Sequence, residues 1–159
     1  MSVEQSGNIT RGHLAKWISS GVIGDAGVLV AGQRTLGFLQ NADFNSTNDQ
    51  IIAIPSSVAV FHLSGVFVTN ASIPLTNAVG GFYNGPSKSG SAIVLASQTY
   101  STLTTPDLLL QAPLTNPFGL FTRFSANNMI NNQFFLSLTT PQGAPCSADV
   151  YIVGFDWTI

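Results

Sequence analysis

From about Arg34 onward, short apolar runs alternate with clusters of turn-forming residues. "RTLGFLQ" (34–40) and "QIIAIP" (50–55) flank the polar stretch "NADFNSTND", which reads as a loop. "VAVFHLSGVFVTN" (58–70) carries the strongest strand signal. Strict alternation would put Val60, His62, Ser64, Val66 and Val68 on one face, and Phe61, Leu63, Gly65, Phe67 and Thr69 on the other. Both faces are largely apolar, as expected of a sheet covered on two sides. Gly65 marks a bulge or bend near the middle. Further runs follow at 79–85, 90–100, 107–112, 119–125, 133–140 and 148–159, separated by "NGPSKSG", "TNPFG", "NNMINN" and "TTPQGAP". Eight or nine strands at spacings of roughly 10 to 15 residues, with no helical pattern among them, predict an all-β fold. The expected architecture is an antiparallel β-sandwich, jelly-roll-like.

The first thirty-three residues follow a different pattern. Thr10 is placed to cap a short helix, Leu14, Trp17 and Ile18 would share one side of it, and Gly21 would end it. A helix of two or three turns is marginal alone in water and needs packing to persist. "GVIGDAG" then returns to an extended, glycine-broken chain. The expected organisation is an N-terminal arm over 1–33 that contains one short helix, and a sandwich domain over 34–159.

Composition narrows the function. Charged residues make up 8% of the 159 residues, against about a quarter in an ordinary soluble domain, while apolar residues stand at 45%. Ser, Thr, Asn, Gln and Gly take the place of the missing charge. So weakly charged a surface does little to hold copies apart, which points to a chain packed among neighbours. The net charge is −2, and Arg11, Lys16, Arg34, Lys88 and Arg123 are scattered rather than gathered in a stripe, which argues against nucleic acid. Eight prolines and fifteen glycines leave no apolar run of the ~18 residues a membrane span needs. "MSVEQSGN" lacks the basic and apolar regions of a secretory signal, so folding inside the cell is expected.

Candidate chemistry is sparse. The acids are Glu4, Asp25, Asp43, Asp49, Asp107, Asp149 and Asp156, and the histidines are His13 and His62. No G-x-S-x-G elbow accompanies them. His62, in mid-strand among valines, is expected to be half-buried and hydrogen-bonded. His13 has no ligand-type neighbour at metal spacing, and Cys146 is a lone cysteine with no nearby His. Asp43 and Asp49 bracket an Asn-rich loop without the alternating oxygen pattern of a calcium site. Asp149 and Asp156, seven residues apart, fall on opposite faces of one strand, unlike the paired carboxylates of a glycosidase. No enzyme, cofactor or metal site is expected.

"GNITRGHLAKWISSGVIGDAG" (7–27) resembles a segment near the N-terminus of many small tailed-bacteriophage virion proteins. There, Gly-Asn-Val-Thr-Pro-Gly-His-x-x-x-Trp precedes Gly-Val-Ile-x-Asp-Gly-Gly. The match covers Gly7, Asn8, Thr10, Gly12, His13, Trp17, Gly21, Val22, Ile23, Asp25 and Gly27. Ile9, Arg11 and Ala26 depart from it. "FNSTNDQIIAIP", "VTNASIPLTNAVGGFY", "SKSGSAIVLASQTYSTLTT" and "FFLSLTTPQGAPCSADVYIVGFD" are similar to stretches of the same group. The resemblance implies a docking module ahead of a variable body, with His13, Leu14, Trp17, Ile18, Val22 and Ile23 as docking residues. It implies a homo-oligomeric, trimeric (three-fold being common in such proteins) capsid-decoration or short-fibre component, located on the virion among other phage proteins. The alternative expectation is a receptor- or glycan-binding module of a tail fibre, with Phe82, Tyr83 and Tyr100 stacking on sugars.

Overall fold

The computed structural model describes residues 4–5, 13–19, 22–29, 33–115, 124–125 and 132–157; residues 4–29 and 124–125 are described as backbone strands. The chain divides into two compact units, Met1–Gly32 and Gln33–Ile159.

In the first unit, β1 (Glu4–Gln5), β2 (His13–Ser19) and β3 (Val22–Leu29) form a three-stranded sheet in the order β1-β3-β2. β1 runs parallel to β3 and β2 antiparallel to it. The short helix expected here is therefore corrected: residues 13–19 are a strand. A seven-residue segment is too short to sustain a helix unaided. Pairing with β3 satisfies its backbone groups instead, and Trp17, Ile18, Val22 and Ile23 are all residue types that favour strands. The positions of the supposed cap and stop, Thr10 and Gly21, lie outside the described residues.

The second unit is all β. Its strands are β4 (Gln33–Asp43), β5 (Gln50–Ala53), β6 (Val60–Thr69), β7 (Val79–Tyr83), β8 (Ala92–Val94), β9 (Leu109–Ala112), β10 (Phe124–Ser125), β11 (Gln133–Thr140) and β12 (Ser147–Asp156). They follow the apolar runs read from the sequence, although of the run at 119–125 only β10 is described. The first sheet has the order β4-β12-β6, and the far edge of β6 is shared by β9 and β10. The second has the order β5-β11-β7-β8. Every described pairing in both is antiparallel.

The core lies between the sheets. Leu36, Phe61, Leu63, Val66, Val68, Val150 and Ile152 come from the first, and Ile52, Phe82, Val94, Phe134, Leu136 and Leu138 from the second. Phe61 and Phe134 meet edge to face across the gap, ring centroids 6.2 Å apart. Tyr100, from the loop after β8, sets its ring edge-on to Phe44 and donates its hydroxyl to the Gly80 carbonyl at 3.0 Å. Burial pushes that phenol's ionisation far above its ordinary range, with Tyr83 adding a smaller push. Gly80 and Gly81 allow β7 to lie close to its neighbours. A Cβ at Gly80 would stand 2.4 Å from the Leu138 Cα, and one at Gly81 2.3 Å from the Val94 carbonyl oxygen.

β6 is not regular. Leu63 pairs with Gly154 and Gly65 with Val153, which leaves Ser64 as an extra residue. This bulge sits where Gly65 predicted one, but it also overturns the simple alternation. Phe61 and Leu63 enter the core ahead of it, Val66 and Val68 after it, so the core parity switches from odd to even. Ser64 is held there by donating to the Val153 carbonyl at 3.1 Å and accepting from the Gln33 side chain at 2.8 Å.

Candidate functional site

The six docking candidates fall on two strands of the first unit: His13, Leu14, Trp17 and Ile18 on β2, Val22 and Ile23 on β3. The backbone register sets Trp17 opposite Ile23, Ser19 opposite Val22 and His13 opposite Leu29. Positions 14, 17 and 18 no longer follow the helical period that would have gathered them, because a strand repeats every two residues. The side chains of all six lie outside the described residues.

In the second unit the structure brings together residues that the sequence reading passed over. β12 alternates cleanly: Ala148, Val150, Ile152 and Gly154 are buried toward the core, while Tyr151, Val153 and Phe155 are half-buried on the outer side. Registers across the first sheet carry that outer side to its neighbours. Tyr151 lies between Phe38 of β4 and Phe67 of β6, Val153 between Thr35 and Gly65, and Phe155 between Gln33 and His62. Phe38 and Tyr151 stack with centroids 4.6 Å apart, and Trp157 continues the series next to Phe155 at 6.5 Å. Phe38 is 43% exposed and Trp157 41%. On β9, Leu109 pairs with Thr69 and is 62% exposed. The result is an aromatic, partly exposed sheet face.

Its charges are few and are satisfied within the chain. Asp149, buried at one end, accepts from the Asn41 backbone N–H at 2.9 Å and from the Asn70 side chain at 3.1 Å. Asp156 pairs with Arg34. The two carboxylates are thus separately engaged, as their opposite parity on β12 requires. His62 differs from its expectation: it is buried, and its Nε2 has no hydrogen-bond partner among the described residues. Loss of water holds its pKa below the ordinary histidine value.

The outer side of the second sheet is built otherwise. Ser137, fully buried between Leu136 and Leu138 in sequence, donates to Asp49, which also accepts from the Ser87 backbone N–H. The 44–49 and 84–91 loops are thereby fastened to each other and to β11. Asp43 accepts from the Asn45 N–H at 2.8 Å, so both carboxylates that bracket the Asn-rich loop hold its backbone or that of a neighbour. Phe135 and Tyr83 beside Ser137 are 5% exposed.

Other candidates offer little for chemistry. Phe82, Tyr83 and Tyr100, the aromatics considered for sugar stacking, are all buried and present no ring face to a ligand. Cys146 is buried, and burial raises its thiol pKa with help from Asp43, against the pull of the Phe44 backbone N–H. That keeps it protonated and unreactive. A cleft of about 280 Å³ bordered by Leu95, Gln98 and Thr115 has no titratable group in its lining. Among the described residues no three His, Cys, Asp or Glu side chains gather as metal ligands, and no helix is long and apolar enough to cross a membrane. No family model matches the chain, and neither does any curated protein.

Proposed function

We propose that this chain is a structural protein of a tailed-bacteriophage virion, displayed as an oligomeric capsid-decoration or short-fibre component and fastened through its first unit. The observation that carries the reading is the division at Gly32/Gln33. It sets the segment bearing the virion-type motif apart from the body, as a module that docks would be. The body supports it in two ways. Its surface is poor in charge, and Asp49, Asp149 and the Arg34–Asp156 pair are engaged in tying loops and strands together.

The strand order favours a jelly roll as the particular form of sandwich. With the two-residue β10 set aside, the eight strands from β4 to β12 pair first with last, second with seventh, third with sixth and fourth with fifth. That is one long hairpin rolled into two sheets, an architecture common among capsid and lectin domains. The test is removal of residues 1–32. The remaining body is expected to fold, with the far-UV circular dichroism of a β-protein and a cooperative denaturation, and to be missing from purified particles in which the full chain is found. Incorporation of the truncated body at the full-length level would refute the docking role.

A further inference from the structure

We infer that the outer face of β4, β12 and β6 is where copies of this chain bind one another. The inference rests on the oligomeric part of the reading above and not on its virion part. A second copy is the occupant for three reasons. First, the face centres on Tyr151, Val153, Phe67, Phe38 and Phe155, all uncharged. Its two outward carboxylates lie together at one end, where Asp149 is buried and bonded to Asn41 and Asn70 and Asp43, opposite Ser147, accepts from the Asn45 N–H. An oppositely charged partner finds nothing to grip there, whereas the same neutral patch meets itself without repulsion, as contact between symmetry-related copies requires.

Second, the size is right. β4, β6 and β12 run 10 or 11 residues each. At about 3.3 Å per residue and 4.8 Å between strands, the face spans on the order of 500 Å² in projection. A specific interface takes about 800 Å² of accessible surface from each partner, and a corrugated sheet face of this projected size supplies it.

Third, the shape selects its own kind. β12 and β6 are inner strands whose edges are already paired, so a partner cannot add a strand to them and must bring a flat apolar face. Of the two outer sheet faces in this unit, the other is tied down around Ser137 by Asp49 and Ser87, whereas on this one Tyr151, Val153 and Phe155 stay only half-buried among the described residues.

The test is sedimentation velocity of the full chain at tens of micromolar, together with Val153→Lys and, on the second sheet, Ile51→Lys. The wild type is expected at a multiple of 16.7 kDa, V153K as a folded single chain, and I51K at the wild-type mass. In parallel, Phe38→Cys is expected to react with maleimide at least tenfold more slowly in the multimer than after dilution, while Leu95→Cys reacts equally fast in both. A wild type that sediments as one chain removes the oligomeric reading and this inference with it. A multimer that survives V153K, or that I51K dissociates, keeps the oligomer and overturns the face. Should V153K fail to fold, the labelling decides: no protection of F38C in a multimer overturns the assignment.

Discussion

On the second sheet the outward residues of β11, Phe135 and Ser137, are buried, and a loop carboxylate reaches in to bond the serine. On the first sheet the outward residues of β12, Tyr151, Val153 and Phe155, are larger and more apolar on the whole, yet stay partly exposed. Along β11 water is excluded from the polar Ser137, while along β12 it still reaches the apolar Val153 and Phe155, although Ile51 beside Phe135 is itself 50% exposed. Taken alone, a folded chain gains nothing from that arrangement, since burying Tyr or Phe stabilises more than burying Ser. The contrast makes sense if one surface is finished by the chain itself and the other by something the chain meets later.

Several variants would sharpen or break this contrast, and the largest effect is expected where the two sheets meet. Phe134→Ala removes the edge-to-face contact with Phe61 and opens a cavity, and should cost about 3 to 5 kcal/mol in chemical denaturation. Both outer surfaces should be lost together. A loss under about 1 kcal/mol would mean the sheets are not held by this core.

Next is Asp49→Ala, which leaves the buried Ser137 hydroxyl without its acceptor. The expected cost is about 1 to 3 kcal/mol, with faster amide exchange in the 84–91 loop and no change in oligomeric state. Dissociation of the oligomer by D49A would show that the two surfaces are not independent. A smaller effect belongs to Phe38→Ala in the dissociated chain, where loss of the stacked pair with Tyr151 should cost about 0.5 to 1.5 kcal/mol. A cost well above that range would make Phe38 part of the chain's own core rather than of an open surface.

The smallest effect is a dependence on pH. The unfolded imidazole of His62 takes up a proton near pH 6.5, the folded one only at lower pH. Between those two values the unfolded chain binds more protons, so His62's contribution is complete above about pH 6.5 and is lost as pH falls. His62→Gln should flatten that part of the stability profile, measured as the denaturant midpoint. An unchanged slope would mean that His62 is protonated as easily folded as unfolded.

Much of the sandwich could be read from the sequence because its strands are short, apolar and set off by Gly, Pro and Asn. The bulge was legible in Gly65, but which residues it sends inward was not, since one extra residue reverses every position after it. The segment around Trp17 misled for a related reason. Seven residues hold too few repeats to tell a period of 3.6 from a period of two, and Leu14 and Ile18 satisfy both. The open face escaped notice because Tyr151, Val153 and Phe155 look like core residues on any pattern, and Phe82, Tyr83 and Tyr100 look like surface aromatics beside loops. Burial depends on which layer lies above a strand, and the local pattern does not contain that.

The extra residue in β6 also bears on how the gene for this chain can change length. Either side of Ser64, each half of the strand is in step with its own neighbours on β12. Dropping Ser64 would restore an ordinary ladder with Phe61, Leu63, Val66 and Val68 still pointing inward, whereas dropping any residue within either half would turn part of the strand inside out. Three nucleotides can therefore come and go at one codon of β6, and insertions or deletions along lineages of this protein are expected to accumulate there before anywhere else in the strand.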